Sequence, residues 1–196
     1  FEKSKFTNAK TIKDVAEILK NKLKGDNVRI IIGNAAQSTL EDESVTKVYG
    51  EAMLTMHADH RKSEIIREAY RILKPGGIYA IHELGLTPDD ISSEKKKHIQ
   101  QELAKAIKVN ARPLTASEWT ELLEQEGFLV KKIETNPMHL LEPKRMIDDE
   151  GFFRTLKIAF NILTNPSARK RILAMRRVFR TYENHLNAVA IIAEKK

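Results

Sequence analysis

Five short runs rich in β-branched and apolar residues alternate along this chain with segments whose apolar residues recur at helical spacing. That alternation restricts the fold more than any other feature, because a strand signal has period 2 and a helix signal period 3.6. The strand runs are Asn27 to Ile32, Val45 to Leu54, Ile78 to Leu86, Phe128 to Ile133 and Leu186 to Ala193. Between them lie amphipathic stretches. Thr11-Ile12-Lys13-Asp14 reads as a capping box before Val15, Ile18, Leu19 and Leu23, and Gly25 closes that helix. A helix from about Ser63 places Ile65, Ile66, Ala69, Ile72 and Leu73 on one face, and Lys74-Pro75-Gly76-Gly77 stops it. Residues 93–110 form a charged helix with Ile99, Leu103 and Ile107. Thr115-Ala116-Ser117-Glu118 is a second capping box, opening a helix with Trp119, Leu122 and Leu123 that closes at Gly127. Residues 143–184 are mostly helical and broken at Asn165-Pro166. Strands alternating with helices predict an α/β fold, a mostly parallel sheet with helices on both faces. One domain, residues 1–196, is expected, with 137–184 as a helical insertion before the last strand.

The bulk properties allow such a domain. Of 196 residues, 41% are hydrophobic, which is too much apolar material for a disordered chain. No apolar run approaches the roughly 18 residues of a membrane span, and no secretory pattern opens the chain. Cysteine is absent, which excludes disulfides and thiolate metal sites and fits a reducing, cytoplasmic setting. The net charge of +7 suits either an anionic partner or merely a soluble surface. With Lys residues scattered along amphipathic helices, the second reading comes first.

Several segments then match, in order, one known family. Val28-Arg29-Ile30-Ile31-Ile32-Gly33-Asn34-Ala35, Val48-Tyr49-Gly50-Glu51-Ala52-Met53-Leu54, and Arg67-Glu68-Ala69-Tyr70-Arg71-Ile72-Leu73-Lys74-Pro75-Gly76-Gly77 resemble class I S-adenosylmethionine-dependent methyltransferases of the quinone and small-molecule type. Arg112-Pro113-Leu114-Thr115 with Trp119, and Glu126-Gly127-Phe128, resemble the family's later helix and strand. The resemblance implies a Rossmann-like fold, S-adenosylmethionine as cofactor, S-adenosylhomocysteine as product, and a small-molecule methyl acceptor. It also implies an N-terminally incomplete fold. The family's glycine-rich cofactor loop follows its first strand, and no G-x-G-x-G occurs here. Glu2 and Lys3 would stand where the family's ribose-binding acid falls, so the chain is expected to begin at or just after the second strand. A missing strand would leave exposed sheet edges that favour pairing into a homo-oligomer.

The resemblance also points to site residues. Gly33, Asn34 and Ala35 would face the adenine, or Gly33-Asn34 is simply a turn. Glu51, Ala52 and Met53 fall at the carboxyl end of a strand, where open α/β sheets bind ligands; Met53 would line the methionine portion or fill the core. His82 and Glu83 would lie beside the acceptor, where either is a candidate base, or His82 is a polar strand end without catalytic role. His57 and His60 form an H-x-x-H pair. With only Asp59 beside them a metal site is not expected, and a polar loop over the acceptor pocket is. Phe152 and Phe153, with Leu156, Phe160 and Leu163, make an apolar stripe on the acceptor side. The Arg-rich run 169–180 reads as a solvated helix face. The alternatives are a nucleic-acid methyltransferase or binding protein that uses that run, a membrane-surface or anionic acceptor, and a non-catalytic interaction module.

Overall fold

The computed structural model describes Glu17, residues 29–138, Ile147 and residues 151–196. The chain divides into two compact units, Phe1–Thr39 and Leu40–Lys196. The capping box at 11–14, the helix after it, Glu2, Lys3 and residues 143–146 lie outside the described residues.

In the first unit, the strand expected at 27–32 does not form over its described part. Residues 29–33 adopt no regular structure, and Ile31 and Ile32 are 47% and 50% exposed. A β-branched run becomes a strand only when a neighbour completes its ladder and covers its side chains, and among the described residues no strand pairs with this run. The expected turn is present, one residue later than Gly33. The Gln37 amide donates to the Asn34 carbonyl at 2.8 Å, and the Ala36 amide donates to Asn34 Oδ1 at 3.1 Å. Asn34 therefore initiates an Asx turn with its own side chain.

The second unit contains the sheet. Its elements in chain order are β1 (Val45–Glu51), a 3-10 turn (Leu54–Met56), α1 (Asp59–Ile72), β2 (Leu73–Leu86), α2 (Ser93–Ile107) and β3 (Leu114–Thr115). They are followed by α3 (Ala116–Gln125), β4 (Phe128–Pro137), α4 (Phe152–Thr164), α5 (Pro166–Thr181) and β5 (Leu186–Lys195). The strand order is β1-β2-β5-β4, with β3 also on β2. β1 and β3 run parallel to β2, whereas β5 runs antiparallel to both β2 and β4. Four strands thus share one direction and β5 alone is reversed, as a mostly parallel sheet requires.

Local chemistry explains several boundaries. Helix α1 ends at Ile72; Leu73 already pairs with Val45 of β1, and Lys74-Pro75-Gly76-Gly77 form an irregularity before the ladder resumes at Ile78 opposite Lys47. Gly76 has φ +71°, and a Cβ on Gly77 would stand 2.7 Å from the Lys74 carbonyl oxygen, so no side chain fits there. The expected capping box at Thr115 is complete: its hydroxyl accepts from the Glu118 amide at 3.3 Å, and Glu118 Oε2 accepts from the Thr115 amide at 2.9 Å. β1 stops at Glu51, three residues before the apolar run does, because Ala52 takes φ +47° and turns the chain out of the ladder.

Period-2 alternation sorts the sheet into two faces. Tyr79, Ile81, Glu83, Val189, Ile191 and Ala193 are buried on one. That face carries α1, whose Tyr70 meets the Phe128 ring at 5.1 Å, as does Tyr79 of β2 at 5.4 Å; α1 in turn meets α3 where Lys62 lies over the Trp119 ring at 5.6 Å. The opposite face presents Tyr49, Glu51, His82 and Ile192 to solvent. Toward the carboxyl end of β2 this second face is covered too, because Leu84 and Leu86, which alternate with His82, pack against α2 and α5; helices therefore lie on both faces, as expected. A separate apolar cluster of Leu86, Ile99, Leu103, Phe179, Tyr182 and Leu186 seats α2 and α5 at the carboxyl end of β2.

Candidate functional site

The carboxyl ends of β1 and β2 bring together three polar side chains. The two strands are parallel and in register, Tyr49 opposite Ala80 and Glu51 opposite His82, so Tyr49, Glu51 and His82 share one face. His82 Nδ1 lies 2.8 Å from Glu51 Oε1, and the Tyr49 hydroxyl donates to Glu51 Oε2. Both carboxylate oxygens of Glu51 are thus engaged. The Tyr49 hydroxyl and then the His82 ring hold the Glu51 carboxyl below the usual carboxylate range, and the same Glu51 contact raises the Tyr49 hydroxyl. A carboxylate on Nδ1 fixes the histidine tautomer and directs Nε2 outward, which suits a proton acceptor.

Glu83 has a different place. It is 2% exposed and points to the opposite face from His82. Its Oε1 accepts from the Met53 and Leu54 amides at 2.9 and 2.8 Å. Its Oε2 accepts from the Thr55 amide at 3.1 Å and the Thr55 hydroxyl at 2.7 Å. The carboxylate therefore caps the 3-10 turn, which has no side-chain cap of its own. With both oxygens occupied, Glu83 is a positioning residue rather than a base.

The loop held by Glu83 contains Ala52, Met53 and His57. The Ala52 amide donates to the His82 carbonyl at 2.8 Å, so the turn and the candidate base are joined through the backbone. A left-handed alanine costs about 1 kcal/mol or more, and here the surrounding hydrogen bonds impose it. Met53 is half-buried. The far side of the loop is tied as well. The Arg112 amide donates to the Thr55 carbonyl at 2.7 Å, and buried Lys62 donates to the Arg112 carbonyl at 2.9 Å and to Asp59 Oδ1 at 2.7 Å. Burial lowers the Lys62 ammonium, against the pull of Asp59.

The remaining expected residues fall in several places. His57 follows the 3-10 turn and is half-buried, while His60 sits exposed in the first turn of α1. Among the described residues, no three side chains of His, Asp or Glu converge in a way that would hold a metal ion. Gly33, Asn34 and Ala35 belong to the first unit, whose Asx turn engages Asn34 Oδ1. Phe152 and Phe153 open α4, and their side chains lie outside the described residues, as do Glu2 and Lys3. Sequence reasoning passed over Tyr49, Thr55 and Lys62. For Tyr49 the signal was present, since residues i and i+2 of a strand share a face and Glu51 was already singled out.

Residues 4–81 match the family model for the methyltransferase domain. The matched stretch, less than half of the chain, makes this chain similar to methyltransferases. The match runs through both units, from the first through β1, α1 and most of β2. An uncharacterized protein of Haemophilus influenzae is 34% identical over 170 residues, which are 87% of this chain and 65% of that protein. The chain thus spans slightly less than two thirds of that relative's length. Among solved structures, a protein of Galdieria sulphuraria described as a candidate sarcosine dimethylglycine methyltransferase aligns with a TM-score of 0.69 at 16% identity, covering 94% of this chain and 65% of that one. Phosphoethanolamine N-methyltransferase 2 of Haemonchus contortus, solved with phosphomonomethylethanolamine and S-adenosylhomocysteine, aligns with a TM-score of 0.55 at 19% identity, covering 82% of this chain and 36% of that one. At such identities the structural likeness establishes the Rossmann-like methyltransferase fold.

Proposed function

We propose that this chain carries methyl transfer from S-adenosylmethionine to a small-molecule acceptor, with His82 as the proton acceptor and Glu51 as the residue that orients it. The observation that carries this reading is the Tyr49–Glu51–His82 array at the carboxyl ends of two adjacent parallel strands. Open α/β sheets bind their ligands there.

The donor set suits the cofactor. An ionised Glu51 favours a cationic sulfonium and its ammonium group, and its depressed pKa keeps it ionised at neutral pH. Gly33, Asn34 and Ala35 are assigned to the adenine on the family resemblance, an Asn amide being suited to an adenine edge, and Ala52 to the cofactor. Glu2 and Lys3 are assigned to the ribose side. Met53 is assigned to the methionine portion; His57, His60, Phe152 and Phe153 to the acceptor. When bound, the cofactor would supply an electrophilic methyl group on a sulfonium sulfur, which leaves as the neutral thioether. The protein's part is to orient the acceptor, exclude water and take its proton at His82 Nε2. We read residues 1–196 as one methyltransferase-like domain, with 137–184 as its acceptor-side lid; the family match across both units supports this. Among the described residues no helix is long and apolar enough to cross a membrane. A cytoplasmic setting is part of the proposal, resting on the absence of cysteine.

The test is the pH profile of methyl transfer in a panel of amine, phenol and carboxylate acceptors. Wild-type kcat/KM should rise with pH as a general base loses its proton, and His82→Ala should flatten that limb while lowering the plateau by about 100-fold. An unchanged profile in His82→Ala would remove His82 from the chemistry.

A further inference from the structure

The positive charge of this protein is concentrated in one place. Between Gly151 and Tyr182 the chain carries eight Lys and Arg and no Asp or Glu, a net of +8. The whole chain is +7, so all other residues together sum to −1. The basic stretch is the α4–α5 hairpin. A solvated helix face would normally mix both signs, and this one does not.

Packing divides the hairpin into an inner and an outer side. Phe179, at the end of α5, and Tyr182, just beyond it, are buried with Leu86, Ile99 and Leu103 at the carboxyl end of β2, which anchors α5 to the sheet. This leaves Arg169, Leu173 and Arg177, spaced i, i+4 and i+8, exposed along one stripe, with Lys170 and Arg171 exposed beside it. On α4, Phe160 and Leu163 are each 65% exposed, and Leu173 is 47% exposed. Large apolar side chains facing solvent beside unmixed positive charge form the pattern of an interfacial helix: apolar groups enter the boundary of the acyl chains while cations meet lipid phosphates. Nucleic-acid phosphates would use the same cations but have no need of exposed leucines.

We propose that the α4–α5 hairpin docks this protein on an anionic phospholipid surface. Phe160, Leu163 and Leu173 insert at the headgroup boundary, and Arg169, Lys170, Arg171 and Arg177 pair with the phosphates. The anchored end of α5 lies at the carboxyl end of β2, the end that carries His82, so docking sets that end of the sheet toward the lipid. The proposal stands independently of methyl transfer, and its test needs neither cofactor nor acceptor.

The experiment is cosedimentation of the protein with vesicles of phosphatidylcholine alone and with 30% phosphatidylglycerol (roughly the anionic content such a hairpin would meet), read at rising salt. Saturable binding is expected only with phosphatidylglycerol. Replacing Arg169, Arg171 and Arg177 together by Gln should weaken it on the order of 100-fold. The pair Phe160→Ser and Leu163→Ser should abolish it while leaving the circular dichroism and urea midpoint unchanged, since both side chains are exposed. In a Phe160→Trp variant the added emission should shift to the blue when the anionic vesicles are added. No binding to phosphatidylglycerol vesicles, or equal binding to both vesicle types, would overturn the proposal. So would tight, salt-sensitive binding of duplex DNA or RNA that the Phe160 and Leu163 changes leave intact while vesicles fail to compete; that result would assign the Arg residues to nucleic acid.

Discussion

On one face of the sheet, Tyr79, Ile81, Glu83, Val189 and Ile191 are buried; on the other, Tyr49, Glu51, His82 and Ile192 meet solvent. His82 and Glu83 are consecutive in the chain, yet strand alternation sends them to opposite faces and gives them different work. The buried carboxylate binds four donors and fixes the loop after β1. The exposed histidine is held by one exposed carboxylate through Nδ1. A polar pair at a strand end is therefore not one signal but two, and parity decides which member is structural.

The contrast can be broken most severely at Glu83. Glu83→Ala leaves three backbone amides and the Thr55 hydroxyl without their acceptor, and should cost about 3–4 kcal/mol in urea unfolding. Glu83→Gln keeps the shape but turns an NH2 group toward N–H donors, so it should recover only part of that loss. A change under roughly 1 kcal/mol for Glu83→Ala would mean that the loop does not depend on this carboxylate. His82→Ala should do the reverse, leaving the urea midpoint within about 0.5 kcal/mol of wild type while lowering methyl transfer. If stability fell as far as in Glu83→Ala, the two faces would not differ in the way proposed.

Smaller effects sharpen the open face. Tyr49→Phe removes the hydroxyl that donates to Glu51 and should raise the Glu51 pKa, read from its side-chain carboxyl resonance in an NMR titration, with little change in stability. The pH dependence follows in sign. The folded Glu51 pKa lies below its ordinary value of 4.5, so its contribution to stability is present above that value and fades as the pH falls through the lower folded value. Because the Glu51 side chain is 54% exposed, screening makes this the smallest effect of the series. Wild type should lose slightly more stability than Glu51→Gln on acidification below about pH 4.5. Parallel curves for the two proteins would show that the array carries no linked energy.

How much of this was legible in the sequence depended on whether the signal was local. The capping box at Thr115 and Glu118 and the turn at Gly76 and Gly77 follow from side-chain chemistry within a few residues, and both stand where the sequence places them. The four-to-one direction of the strands also follows in outline from the alternation of elements. The run at 29–32 was misleading because β propensity reports fitness for a covered ladder, and cover is a tertiary fact. The early end of β1 was hidden because Ala52, which takes the left-handed turn, carries none of the usual marks of one. Glu83 was read beside His82 because nothing in the local sequence announces the three amides, about 30 residues earlier, that it serves. The burial of Lys62 was hidden for the same reason: beside its local partner Asp59, it donates to the Arg112 carbonyl, 50 residues away.

The central claim is that this fold serves S-adenosylmethionine-dependent methyl transfer, and isothermal titration of the full-length protein with S-adenosylmethionine tests it most directly. The account predicts saturable binding below millimolar cofactor, weakened when Glu51 is replaced by Gln. No heat of binding at millimolar S-adenosylmethionine, with the protein shown to be folded, would contradict it.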